Sequence, residues 1–417
     1  MNYRHTGWRV ALAIAWGLSA GAAFAAGPLL QPSKTGFKSS DQVVNGLQSD
    51  RATISLTPMQ VDSSALAYDT DSFEIALGGK QRVTVRRDSA SFAEDGSLIW
   101  NGTVGGKSKS ADNDFNADDL MNSVTLVKGG NEITGTIRIN GQLYKLFPSS
   151  SGHVLAAIDE ARMPPEHPAE YKSLPIENIG IEAHDDEHAA GESEAATKAN
   201  TVIRVMVVVT NAAKAKIGNV TNFVNLAISE TNAGYANSGV SITMQAAGIY
   251  TTSYVESGSF STDLARIRST NDGILDSVHS LRNSNAADVV VFMIDNASSC
   301  GLASGIGSSA ATAFAAVHYS CATGYYSFGH EVGHLQSARH DPANDPTSTP
   351  YAYGHGYQYA AGGWRTIMAY ACSNNCTRIN YWSNPAKTRN GVPMGTTNLH
   401  HNQRVLNNTR ATIAGFR

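Results

Sequence analysis

A chain of 417 residues is long enough for two or three domains of ordinary size, and a hydrophobic content of 42% excludes wholesale disorder. Its 31 Lys+Arg stand against 35 Asp+Glu, a net charge of -4, which leaves no concentrated basic face and no electrostatic case for nucleic acid as a partner. Charged residues make up only 16%, and the neutral polar surface this implies is common among exported proteins.

Residues 1–25 have the layout of a secretory signal peptide: Arg4 and Arg9, then the apolar stretch Val10 to Leu18, then Ala23-Phe24-Ala25 as a small-x-small cleavage site. The apolar run is too short to span a bilayer and is broken by Gly17, Ser19 and Gly21. The expectation is a secreted, extracellular protein, passing through a periplasm in a Gram-negative cell, with no membrane association after signal removal.

Residues 26–158 read as a small antiparallel β domain. Alternation runs through Phe73-Glu74-Ile75-Ala76-Leu77, Gln81-Arg82-Val83-Thr84-Val85, Glu132 to Ile139 and Gln142 to Leu146, with tight-turn signals at Gly129-Gly130-Asn131 and Asn140-Gly141. Residues 159–199 carry Pro164-Pro165, Pro168 and Pro175, then an acidic run of small residues from Glu182 to Ala199. That composition predicts a flexible acidic linker with an activation cleavage site.

From residue 200 to 417 the pattern becomes α/β. Val202 to Val209, Val240 to Met244 and Ala287 to Ile294 are buried-strand runs, separated by helical stretches around Val220 to Ala227 and Leu264 to Val278. The fold class is α/β, with a mostly parallel twisted sheet carrying helices. Ala315 to Ser320 reads as an edge strand, and Val317 to Ser320 as a rail for extended substrate.

The chemistry concentrates at Phe328-Gly329-His330-Glu331-Val332-Gly333-His334. On a helix, His330 and His334 share one face and can present two imidazole nitrogens to one zinc ion, with Glu331 placed to take a proton from water. One class of zinc peptidases takes its third ligand from a downstream Glu, but no Glu follows Glu331, so that class is excluded. His340, ten residues after His330 and followed by Asp341, is the remaining supply; His355, His400, His401 and Asp341 are rival ligands.

The order His330-Glu331-x-x-His334-x-x-x-x-x-His340-Asp341, followed by Thr366-Ile367-Met368-Ala369-Tyr370, resembles the metzincin clan of zinc endopeptidases. The resemblance implies a metzincin-like catalytic domain with an active-site helix and a methionine turn at Met368. It also implies one catalytic Zn2+ and a Tyr370 that steadies the oxyanion. Ser337 departs from the pattern, since the clan has Gly where the helix ends. Calcium is left open.

The longer strings His330 to Pro342 and Gly363 to Cys372 are similar to the bacterial peptidyl-Asp metalloendopeptidase family. That resemblance implies a secreted zinc peptidase made as a precursor and cutting protein or peptide substrates on the amino side of Asp, less readily Glu. The β-rich domain would then be an inhibitory propeptide. An acidic side chain calls for a cation, preferably Arg with its bidentate fork. Arg378, in the wall after the methionine turn, is the first candidate and Arg365 the second, with Arg339 also near the metal in sequence.

The four cysteines, Cys300, Cys321, Cys372 and Cys376, form an even set in an oxidising compartment, and local spacing favours Cys300–Cys321 and Cys372–Cys376 among three pairings. No Cys precedes Cys300, so a propeptide thiolate cannot block the zinc. A carboxylate or histidine could do so, and the sequence does not single it out; His184-Asp185-Asp186-Glu187-His188 reads as solvated linker. If the enzyme cuts before acidic residues, Asp185, Asp186, Glu187, Glu192 and Glu194 offer it sites for self-processing. The rival readings are a metzincin without acidic preference, a non-catalytic zinc-binding adhesin-like module, and a zinc hydrolase of non-protein acyl substrates.

Overall fold

In the computed structural model, the described residues are 28–78, 81–106, 114–115, 120–180 and 200–417. The signal peptide expected at 1–25 and the acidic run 181–199 lie outside them.

The N-terminal region is a closed antiparallel barrel, apart from one parallel contact at closure. Its strands are β1 Leu30–Pro32, β2 Thr53–Val61, β3 Ser72–Gly78, β4 Gln81–Phe92, β5 Leu98–Val104, β6 Ser123–Gly129, β7 Glu132–Ile139, β8 Gln142–Ser149 and β9 Gly152–Ile158, in the order β1-β2-β9-β8-β7-β6-β5-β4-β3. Asn140 and Gly141 both take positive φ, 49° and 84°, as a two-residue hairpin between β7 and β8 requires. Side-chain alternation sends Ile133 and Ile137 of β7, Leu146 of β8 and Leu155 of β9 inward, onto Trp100 and Phe73.

The other face of these strands is buried too. Thr134, Thr136 and Arg138 of β7 and Lys145 of β8 are nearly inaccessible, and Leu143, Phe147, Val154 and Ala156 join one apolar cluster with Phe223, Val224, Tyr319 and Ala322 of the C-terminal part. The barrel therefore packs its outer wall on the second domain. Charged groups are held in that interface. The Glu230 carboxylate accepts from Thr136 Oγ1 at 2.5 Å and from Gly324 N–H at 2.8 Å, and Arg138 donates to Glu160 at 2.6 Å and to the Gly324 carbonyl at 3.0 Å.

The second domain is a five-stranded sheet of β10 Thr201–Thr210, β11 Ile242–Thr252, β12 Val289–Ile294, β13 Gly301–Ala303 and β14 Phe314–His318, ordered β11-β10-β12-β14-β13. All pairings are parallel except β13 with β14. One face packs on helices α1 Val220–Ser238, α2 Ser327–Leu335 and α3 Asn402–Ala414, the other on Phe260–Arg268 and Ser277–Ser284. The expected edge strand is thus corrected: β14 lies between β12 and β13, and the edge is Gly301–Ala303. Three residues without alternation give no strand signal, whereas the continuous run Phe314 to Val317 reflects burial on both sides.

The linker reading of 159–199 also needs correction for its first part. Residues Ala169–Ser173 form a 3-10 turn, and Pro165 to Glu177 lie along the edge strand. Cys300 N–H donates to Pro165 O at 2.8 Å, Gly301 N–H to Glu166 O at 3.1 Å, and Ile306 N–H to Pro175 O at 2.9 Å. The two ends of the stretch, on either side of this turn, are held rather than free, because the carbonyls of Pro165, Glu166 and Pro175 find partners at the sheet edge and just beyond it.

Candidate active site

Helix α2 carries His330, Glu331 and His334. A Cβ on Gly333 would stand 2.6 Å from the Trp382 ring and 3.3 Å from Met368 Sδ, so glycine lets the helix lie directly on these two side chains. The helix closes with Ala338 N–H donating to Gly333 O at 2.9 Å, and Ser337 takes φ 72°. Serine here adopts a left-handed turn, at a cost of about 1–2 kcal/mol, and the chain then returns to bring in His340.

His340 Nε2 lies 3.2 Å from His330 Nε2 and 3.0 Å from His334 Nε2, which are 3.1 Å from each other. A fourth nitrogen, absent from the sequence reading, completes the group: His167 Nε2 stands 3.1, 3.2 and 2.9 Å from those of His330, His334 and His340. Nδ1 of His330 donates to Ile367 O at 2.9 Å, Nδ1 of His334 to Ala338 O at 2.8 Å and Nδ1 of His167 to Gly301 O at 2.9 Å. With the proton on Nδ1, each Nε2 offers a lone pair. Lone pairs converging at such distances call for a cation between them. Burial, reinforced by neighbouring positive charge, holds His330, His334 and His340 well below the usual histidine range, and burial takes His167 to about 4. Neutral imidazole is the metal-binding form. A regular tetrahedron with these edges has its centre about 1.9 Å from each corner, close to the ~2.0–2.1 Å of a zinc–imidazole bond.

The surroundings fix the third histidine. His355 Nδ1 donates to His340 O at 2.7 Å, and Asp341 Oδ1 accepts from Tyr370 N–H at 2.8 Å. These two rival ligands are therefore braces; His400 and His401 bond Thr396 and Gln403 outside the cluster. Met368 is fully buried, and the Tyr370 ring stands edge-on to His340 with centroids 4.6 Å apart. Burial pushes the Glu331 carboxyl well above the usual carboxylate range, and the nearby Glu166 charge adds to the shift.

Beside the histidines lies a cationic pocket. Arg378 Nη2 is 2.6 Å from Glu166 Oε2, and its guanidinium carbon is 4.4 Å from the Tyr325 ring centroid. Arg365 Nη1 and Tyr325 OH reach Glu166 Oε1 at 3.1 and 3.0 Å. Against the desolvation that would raise it, Arg378 and then Arg365 hold the Glu166 carboxyl at about 2. The two arginines differ in their other duties. Arg365 also donates to the carbonyls of Ala369 and Cys376, bracing the chain after Met368, while Arg378 donates to Tyr325 O at 2.9 Å. Arg339 pairs with Asp345 instead. Disulfides join Cys300 to Cys321, next to the edge strand, and Cys372 to Cys376, in the pocket wall.

Glu166, His167, Tyr171 and Tyr325 were not singled out by sequence. The available signal was an acid and a histidine set between prolines, Pro164-Pro165-Glu166-His167-Pro168, in a chain with no cysteine before Cys300.

A family model described as Metallo-peptidase family M12 matches residues 199–383. A peptidyl-Asp metalloendopeptidase of Stenotrophomonas maltophilia is 50% identical over 410 residues, 96% of each chain. One of Xanthomonas campestris pv. campestris is 48% identical over 94% of this chain and 93% of that one. A Pseudomonas fragi protein of the same name is 49% identical over 190 residues, 45% of this chain and 100% of its own length.

Proposed function

The chain belongs to the family of peptidyl-Asp metalloendopeptidases, and from that premise we propose that it is a secreted zinc endopeptidase, made as a precursor, that cuts on the amino side of Asp and less readily Glu. The observation that carries this reading is a buried carboxylate, that of Glu166, clamped by Arg378 and Arg365 immediately beside a three-histidine site on a Glu331-bearing helix. A peptide's acidic side chain in that pocket would bring the bond before it to the metal site. The N-terminal barrel and the segment after it act together as the intramolecular inhibitor: the barrel docks on the second domain, and Glu166, His167 and Tyr171 of the segment lie in the site.

His330, His334 and His340 would hold the ion, which supplies an acidified water and polarises the peptide carbonyl. Glu331 takes the proton from the attacking water and passes it to the leaving amine; its burial gives it the proton affinity this task needs. Tyr370, packed on His340, steadies the oxyanion. Arg378 and Tyr325 orient the acidic side chain.

Digesting an unstructured protein with the activated enzyme, with and without a zinc chelator, tests this. Chelator-sensitive cuts before Asp and Glu are expected. Chelator-sensitive cuts before other residues would remove the acidic preference, and chelator-insensitive cutting would remove the metal mechanism.

A further inference from the structure

We infer that Glu166 and His167 form a two-point latch, in which His167 takes the coordination position that water needs and Glu166 fills the acidic-residue pocket, with the chain threaded opposite to a substrate. This rests on the reading above, that the cut falls on the amino side of an acidic residue.

Three observations carry the latch. His167 is not merely near the metal site: its Nδ1 proton is committed to Gly301 O at 2.9 Å, so its Nε2 lone pair faces the other three nitrogens at 2.9–3.2 Å. Glu166, one residue earlier, is buried with its two carboxylate oxygens divided between Arg378 on one side and Arg365 with Tyr325 on the other. Tyr171 then closes the site from outside. Its ring stacks on His340 and His167, with centroids 4.4 and 4.6 Å apart, and its hydroxyl donates to Asp345 at 2.8 Å. All three side chains belong to the segment before residue 181, and their targets are those that a substrate and its water would use.

The polarity follows from residue order. A productive peptide has its scissile carbonyl on the amino side of the acidic residue, so it passes the metal first and the pocket second. The latch passes the pocket at Glu166 and the metal site at His167, in the reverse order. It also runs parallel to the edge strand: Pro165 meets Cys300, Glu166 meets Gly301, and Ile176 bridges Ile306 in parallel. A substrate would therefore run antiparallel to Gly301–Ala303. The bond before Glu166 fits the sequence preference yet is not presented for cleavage, because the Pro165 carbonyl is held by Cys300 N–H at 2.8 Å. The latch occupies the cleft as an acidic residue does, and it survives there.

The test uses the full-length precursor with Glu331→Ala to prevent self-cleavage, loaded with Co2+, with and without His167→Ala. The expected result is a visible spectrum that azide leaves unchanged when His167 is present and shifts when it is removed. The same azide response in both would overturn the metal half of the latch. A synthetic peptide of residues 164–173, added to the activated enzyme, supplies a second measurement that does not depend on precursor folding. It is expected to compete with acidic substrates, to be recovered intact, and to lose at least about tenfold in inhibition with either His167→Ala or Glu166→Gln. Cleavage between Pro165 and Glu166 would overturn the reverse threading. If the activated enzyme shows no acidic preference on ordinary peptides, the specificity reading fails, while the azide result still decides the His167 contact.

Discussion

Arg378 offers the sharpest separation between reading a substrate and holding the fold. It is fully buried, and its charge faces the Glu166 carboxylate at 2.6 Å, while Arg365 divides its hydrogen bonds among that carboxylate, the Tyr325 hydroxyl and two backbone carbonyls. The pocket holds Glu166 at about 2, against an ordinary value of 4.5, despite desolvation acting the other way. At 1.36 kcal/mol per unit, this corresponds to about 3 kcal/mol in favour of the charged form. Breaking a buried pair by removing one partner costs about 3–5 kcal/mol, so Arg378→Met should lower kcat/KM on an Asp peptide by roughly 10²-fold or more. A matched peptide with Asn at that position lacks the charge and should change less than about fivefold. In the precursor, Arg378→Met leaves Glu166 half-paired, so the variant is best produced together with Glu166→Gln, which leaves the mature sequence otherwise untouched. Initial rates on the Asp and Asn peptides are the assay. Equal loss on both peptides would refute the assignment, as would an Asp preference that survives Arg378→Met but disappears in an Arg365 variant of unchanged thermal stability.

Glu331→Gln should leave metal content unchanged by elemental analysis while lowering kcat by about 10²–10⁴-fold. Ser337→Gly removes the left-handed strain at φ 72° and should raise the Tm of the precursor by a few degrees, equivalent to about 1 kcal/mol, with kcat unchanged; a fall in Tm would show that the hydroxyl matters more than the backbone. Glu230 tests the barrel interface. Burial raises its carboxyl to about 7 from an ordinary 4.5, so between those values the docked precursor binds a proton that the unfolded chain releases. Stability is therefore fully present below about pH 4.5 and falls as pH rises towards 7, by about 3 kcal/mol from this group. Glu230→Gln should flatten that part of a precursor melting curve measured against pH, and a variant with the same slope as wild type would refute the assignment.

The reach of the sequence reading follows the range of the interactions. The convergence of His330 and His334 was legible because i and i+4 share one helical face, with Glu331 a residue further round, and that of His340 because ten residues with a turn at Ser337 suffice to return. The hairpin at Asn140-Gly141 was legible for the same reason: two positive φ values have a local residue signature. The edge strand Gly301–Ala303 was hidden because its identity lies in hydrogen bonds to Phe314–His318, not in its own three residues. The barrel's closure depends on β1 pairing with both β2 and β3, a long-range fact that alternation does not encode. The buried outer face of β7 shows the same limit. Thr134, Thr136 and Arg138 look like a solvent face by residue type, and only the second domain makes them interior.

His167 was hidden for a physical reason that also explains its role. It lies 163 residues before His330, and one imidazole at the end of an extended, proline-rich segment would meet the site rarely if only a flexible tether joined them. The barrel changes that arithmetic. Its outer wall shares an apolar cluster with the helices of the second domain, and the strand pairing ends at Ile158, nine residues before the histidine. Arg138, which reaches both Glu160 and the Gly324 carbonyl, fixes the departure of the segment next to Tyr325 of the pocket. Docking of the barrel thus sets a high effective concentration of Glu166 and His167 at their targets, and neither contact has to be strong alone. Cutting the chain after residue 180 removes none of these contacts. Loss of the latch requires the barrel interface to come apart as well, so the energy that keeps the site closed resides mainly in the apolar wall and only locally in the histidine and the glutamate that fill the site.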